Sequence, residues 1–308
     1  QGLGGGKGNN LYGSGGGHGG DGGNTTSSGW GYCDITNLST IGSGGGASGA
    51  AAGGAGGGLI ILSATSTVTI NGIITANGDD GVNNAAGGGS GGGIKITADI
   101  IAGTPSNFSA SGGNAKTSGS TNGGSGGGGC VNLFYTTSNS ITPTSSYFFI
   151  NGGTVSYRGS GGMALVKKVG VNNGGLYVLN NGLATDITQT TSTLSNLVVD
   201  SIYVSSTVFQ VSSTKTFTLS NADPFSGNNL GVINVYGTLS KTNGFSAINN
   251  AIITIFAGGT IVASSTVYLG SSSTLKLTTS SIFSGNGVNF NSSGTLHIYA
   301  GTIISTST

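Results

Sequence analysis

The side chains able to do proton chemistry are few and scattered. His18 lies in Gly16-Gly17-His18-Gly19-Gly20-Asp21 and His297 in Thr295-Leu296-His297-Ile298-Tyr299, at opposite ends of the chain. All eight acidic residues are Asp, there is no Glu, and Arg158 is the only arginine. Catalysis needs a convergent set of ionisable groups. Without a base beside them, the many Ser and Thr hydroxyls are solvating groups rather than nucleophiles. The paired carboxylates of polysaccharide cleavage are also missing from the pattern. These residues predict a protein that is not an enzyme and holds no cofactor. Asp79 and Asp80, in Asn77-Gly78-Asp79-Asp80-Gly81, are the only acidic pair. They read as a turn, with a weak Ca²⁺ site as the alternative. Strings such as GxGxxG occur because glycine is abundant, and no Gly-Lys-Ser/Thr phosphate loop follows them.

Cys33 and Cys130 are too few for a disulfide framework or a cysteine zinc site. They could pair with each other in an oxidising compartment or stand as two buried thiols. Four Asn-x-Ser/Thr sequons, at Asn24, Asn37, Asn107 and Asn291, are candidates for N-glycosylation. Nine Lys plus Arg against eight Asp leave a net charge of +1. That balance offers no footprint for nucleic acid or an anionic membrane. The longest apolar runs, Leu59-Ile60-Ile61-Leu62 and Tyr147-Phe148-Phe149-Ile150, are far short of the ~20 residues of a spanning helix. No membrane insertion is expected. An opening Gln1 and an ending in mid-pattern at Thr308 read as a chain cut from a longer precursor.

What must position these residues is strand and turn. Helix formers are scarce, while Ser, Thr, Asn, Val and Ile are plentiful, so an all-β fold is expected. Glycine makes up 64 of 308 residues, and 44 of them precede Val131. The chain therefore divides by composition into a Gly-rich β repeat region, 1–130, and a Ser/Thr/Asn-rich region, 131–308, continuous with the first. In the first, glycine runs lead into alternating strands beginning at Leu59, Ile94 and Cys130, with a weaker copy at Met163. A second strand keeps step, at Ile73-Ile74-Thr75 and again at Phe108-Ser109-Ala110. A period near 35 residues points to a repeat architecture. The glycine runs are expected to stack closely, in a polyproline-II-like conformation that the missing Cβ permits. In the second region, apolar positions 155, 176, 197, 217, 239, 261, 282 and 303 step by 20 to 22 residues. That ladder is discounted, because apolar residues at every second position generate such series easily.

The expected fold is a parallel β-helix, or β-solenoid, with stacked Gly-rich segments; a β-sandwich is the alternative. The glycine-run modules and alternating strands resemble Gly-rich, pectin-lyase-like β-helix surface proteins and adhesins. That resemblance implies an extracellular or cell-surface stalk or fibre without catalysis. The function expected is an extracellular structural subunit of a filament or coat, self-associating as a homopolymer and carrying glycans. The alternative is an adhesin stalk or carbohydrate-binding surface protein.

Overall fold

The computed structural model describes residues 2–23, 29–104, 107–119, 121–143, 147–180, 190–191, 196–220, 225–241, 249–263, 267–269, 273–285, 288–290, 294–299 and 301–305. Among them there is no helix, and nearly every strand pairing is parallel. No helix is long and apolar enough to cross a membrane.

One 13-stranded sheet runs through most of the chain. Its path starts with strands Leu59–Ser63, Gly93–Ala102, Cys130–Asn139 and Gly162–Lys168, all parallel. The compositional boundary at residue 130 falls at the start of a strand that has neighbours on both sides. After an antiparallel step to Gly175–Leu179, the path is parallel again through Ser201–Ser205, Phe225–Val235, Asn249–Ile255, Thr274–Leu277 and Thr295–Ile298. The chain reverses at residues 169–174, where Gly170 (φ +76°) and Gly174 (φ +85°) adopt the left-handed conformation that other residues resist.

The register corrects the sequence alignment by one residue. Leu59, Gly93, Cys130 and Met163 are neighbours, as are Ile60, Ile94, Val131 and Ala164. Aligning the glycine runs would instead have set Ile94 beside Leu59, and a one-residue slip sends a side chain to the other face. The reason lies at Gly93. A Cβ there would stand 2.8 Å from Leu59 Cδ1 and 3.2 Å from Leu38 Cδ1. The last glycine of that run is therefore an interior strand residue with its side chain removed to admit two leucines.

The discounted 20-to-22-residue ladder is a real register. Leu197, Phe217, Leu239, Ile261, Phe283 and Ile303 are successive partners in a six-stranded parallel sheet. Phe283, not Ile282, occupies its rung, and residues 155 and 176 lie outside this sheet. Ile282 is 38% exposed whereas Phe283 is fully buried.

Two cores lie on opposite faces of the large sheet. On one face Ile94, Ile96, Val131 and Leu133 pack with Phe108 and Phe148 of a three-stranded sheet, Ile73–Thr75, Asn107–Ser109 and Phe148–Phe149. The rings of Phe108 and Phe148 stack with centroids 4.9 Å apart. On the other face Met163, Leu165, Leu176 and Val178 begin a core that continues through Ile202, Val204, Ile233, Val235, Ile253, Ile255, Leu275 and Leu277 against the six-stranded sheet. The second sheet thus changes sides near the antiparallel step. Tyr177 and Tyr203, half-buried, finish the first core where it ends.

Candidate functional site

The glycine runs form a slab whose hydrogen bonds repeat every three residues. In segment 87–92, Gly87 and Ser90 donate their N–H to the carbonyls of Gly46 and Ser43, and Gly88 and Gly91 to those of Gly124 and Gly127. Gly89 and Gly92 donate to Asp79 and Ala76, all at 2.7–3.0 Å. The same segment accepts from Gly16, Gly54, Gly57 and Gly113. Segment 124–129 repeats the scheme, donating to Gly13 and Gly16, to Tyr157 and Ser160, and to Gly113 and Ala110. A strand directs its N–H groups in two alternating directions. Three directions require the three-residue turn of a polyproline-II helix.

That geometry explains the glycines. A Cβ on Gly91 would be 1.9 Å from Ala110 O, on Gly126 2.0 Å from Gly89 O, and on Gly159 1.9 Å from Gly126 O. None of these three has a positive φ, so close approach rather than conformational freedom selects glycine. Ser14, Ser43, Ser90, Ser125 and Ser160 are fully buried among them. Ser90 Oγ accepts from Ser43 N at 2.8 Å, and Ser125 Oγ accepts from Ala115 N at 2.9 Å, so some hydroxyls act as slab acceptors.

A short segment, residues 33–40, covers the second core where the six-stranded sheet is absent. Ile35 and Leu38 are fully buried in it. Cys33 is joined to Cys130 across 97 residues of sequence, and Asn132 Nδ2 donates to Ile35 O at 2.7 Å. His18 Nε2 lies 2.9 Å from Thr40 Oγ1, and its ring meets Tyr32 edge-on at 5.1 Å. The Tyr32 hydroxyl donates to Ile41 O and accepts from Ser43 Oγ. Disulfide, histidine and tyrosine thus fasten the cover to the sheet and the slab.

The remaining candidate residues do not meet. His18 is fully buried, and desolvation lowers its pKa from 6.5 to about 4. A depressed histidine contributes stability that is complete above pH 6.5 and is lost as pH falls towards 4, because the unfolded chain takes the proton first. Denaturant titrations should show stability falling by about 3 kcal/mol across that window. In His18→Gln the same window should be nearly flat. His297 stands on the last strand of the large sheet, its ring stacked on Tyr299 at 6.0 Å, with Lys276 as its ladder partner.

Asp79 and Asp80 are not in a turn. Asp79 is an extended slab residue, donating to Ala55 O and accepting from Gly89 N, and the nearby turn falls at 83–85. The slab needs a straight segment there, which overrides the turn preference of Asn-Gly-Asp-Asp-Gly. Asp80 Oδ1 accepts from Asn114 N at 2.7 Å and Oδ2 lies 3.6 Å from Lys116 Nζ. Among the described residues no three His, Cys, Asp or Glu side chains gather as metal ligands. Asn37 is exposed in the cover, where Asp34 Oδ1 accepts from Thr36 N and Asn37 N. Asn107 opens a strand, while Asn24 and Asn291 lie outside the described residues.

Two features went unread in the sequence. Asp99, at a bulge in Gly93–Ala102, accepts from the hydroxyls of Thr136 and Thr137, which hold its carboxyl below the usual range. Lys241 is only 2% exposed, between Leu219 and Ala263 in the six-stranded sheet. The alternation in Thr238-Leu239-Ser240-Lys241 was the available signal, since it points Lys241 inward with Leu239. No known protein family, curated protein or solved structure matches this chain.

Proposed function

We propose that this chain is a non-enzymatic structural protein of the cell exterior, a rigid subunit of a filament or surface coat. In this reading the parallel sheets are the walls of a β-solenoid and the glycine slab is its stiffening flank. The observation that carries the reading is the slab. Segments 87–92 and 124–129 are hydrogen-bonded in three directions with no room for a side chain at their glycines. Such a body resists bending. The covalent tie at Cys33–Cys130 fits an oxidising exterior. A surface with few charges has little electrostatic protection against sticking, and a glycan coat would supply it.

Electron microscopy of purified native material tests this. Ordered polymers made of this chain alone support the filament reading, whereas discrete rods favour a stalk. Turnover of any member of a polysaccharide panel overturns both. Intact mass is expected to exceed that of the polypeptide, with glycan mapped to Asn37 and lost in Asn37→Gln.

A further inference from the structure

We infer that His18 is an acid-operated latch: its protonation raises the cover, residues 33–40, and so admits an external reductant to the Cys33–Cys130 bond.

The bond is sealed while the cover is down. Cys33 is 2% exposed and Cys130 not at all, and Ile35 and Leu38 of the cover are buried in the same core. On the slab side a Cβ at Gly19 would stand 2.9 Å from Cys130 Sγ, so the backbone beside His18 lies against that sulfur. A reductant has to reach one sulfur directly, because exchange begins with attack on that atom. Of the walls around the bond, the cover is the least secured. Slab and large sheet are held by repeated backbone bonds, whereas residues 33–40 supply no strand.

His18 fastens the cover at several points. Its carbonyl accepts from Tyr32 N at 2.7 Å and from Cys33 N at 3.0 Å. Its Nε2 lies 2.9 Å from Thr40 Oγ1, and its ring meets Tyr32 edge-on. The other ring nitrogen, Nδ1, is buried without a hydrogen bond. The imidazole is thus enclosed in part by the segment it fastens, and that enclosure suits a neutral ring.

A charged ring has no counter-ion there. Segments 29–43, 87–92 and 124–129 and strands Gly93–Ala102 and Cys130–Asn139 hold Tyr32, Asp34, Lys95, Asp99 and Tyr135 as ionisable side chains besides the cysteines. Asp34 is exposed and accepts from Thr36 N and Asn37 N, and Asp99 is held by Thr136 and Thr137. In the segment of His18 itself, Asp21 Oδ1 accepts from Gly31 N at 2.6 Å. These carboxylates are engaged away from the ring. Lys95, and Lys7 and Arg158 on the segments flanking residues 13–23, are cations and cannot balance an imidazolium. The carbonyls of Gly91, Gly92 and Thr40 favour the charged ring, but burial outweighs them and lowers its pKa to about 4. A proton is taken readily only by a conformer whose ring meets water, and raising the cover provides it. With 6.5 for the open state and about 4 for the closed, open cover gains about 100-fold between pH 7 and pH 4.

Reduction by thiols balances in two steps. One thiol attacks a sulfur and displaces a cysteine thiolate, which takes a proton. A second displaces the other cysteine, and the two thiols leave joined as a disulfide. Thiols lose their reactive thiolate in acid, so a water-soluble phosphine is the probe. It attacks one sulfur, and water completes the exchange to give two cysteine thiols and the phosphine oxide. On the intact oxidised chain, thiol should appear about 100-fold faster at pH 4 than at pH 7, relative to a small disulfide under the same conditions. His18→Gln should abolish that ratio. Hydrogen exchange on the oxidised wild type is the second reading and needs no variant. Protection in residues 29–43 should fall by about the same factor between pH 7 and pH 4. It should also be nearly indifferent to low urea, because raising the cover exposes little surface. Equal reduction at the two pH values, or a ratio that survives in His18→Gln, overturns the latch. So does exchange in 29–43 with the urea dependence of the strands from Ser201 onward, since the proton would then act through global unfolding.

Discussion

Gly91→Ala is expected to destabilise the protein by about 3 kcal/mol or more, at the upper end of what overpacking costs. The added methyl would stand 1.9 Å from Ala110 O and 2.7 Å from Gly129 N, both backbone atoms. No rotamer change relieves a backbone clash. Segments 87–92 and 124–129 would have to separate, stretching the 2.7 Å bond from Gly129 N to Ala110 O and the 2.9 Å bond from Gly91 N to Gly127 O. Each bond lost adds about 1 kcal/mol. Gly126→Ala should behave alike, since its methyl would meet Gly89 O at 2.0 Å. Gly5→Ala is the control. Gly5 lies at the slab's exposed margin, has no atom within 4 Å of an added Cβ and has no positive φ. It should be neutral, or stabilising by about 0.4–1 kcal/mol through the unfolded chain. Thermal unfolding separates the cases: Gly91→Ala should lower Tm by about 10 °C and Gly5→Ala by almost nothing. Equal effects at both positions would mean that the slab is not packed this way.

Much of this fold was legible, and what was not failed for definite reasons. The strands at Leu59, Gly93 and Cys130 follow glycine runs, so their existence and parallel order could be read. Their register could not be, because Gly93 is spelled like the run before it while serving as an interior strand residue. The ladder from Leu197 to Ile303 was visible but indistinguishable from chance, because alternation supplies many such series. Pairing selects the members that are buried, Phe283 over Ile282. The slab's three-residue hydrogen-bond period leaves no mark in a sequence where glycine follows glycine. Asp79 was misread because local turn chemistry has no term for a neighbour 24 residues away, and Ala55 O holds it straight.

The two cores explain why the cover exists. Between Leu59 and Met163 the large sheet has a partner sheet on one face only, and its other face would be left to water. Ile35 and Leu38 fill that place without contributing a strand, so ladder hydrogen bonds do not hold the cover down. His18 makes two polar contacts to it, its carbonyl accepting from Cys33 N and its Nε2 meeting Thr40 Oγ1, and Asn132 donates to Ile35 O. The covalent tie is Cys33–Cys130.

Reduction of that tie, or the double change Cys33→Ser with Cys130→Ala, should therefore cost stability out of proportion to the two residues altered. In chain-entropy terms a cross-link closing about 100 residues contributes about 4–5 kcal/mol by restricting the unfolded chain. Its absence also lets the cover lift, which uncovers Leu59 and Met163 beneath Ile35 and Leu38. The expected result is a two-stage loss. At moderate denaturant the reduced protein should first gain hydrogen-exchange rate in residues 29–43 while the strands from Ser201 onward stay protected, because local opening precedes global unfolding. The global transition should then move to lower denaturant by the entropic amount. Native-state exchange with and without a dithiol measures both. Uniform acceleration along the whole chain would mean that the cover and the large sheet open as one unit, and that the disulfide is not what holds the cover in place.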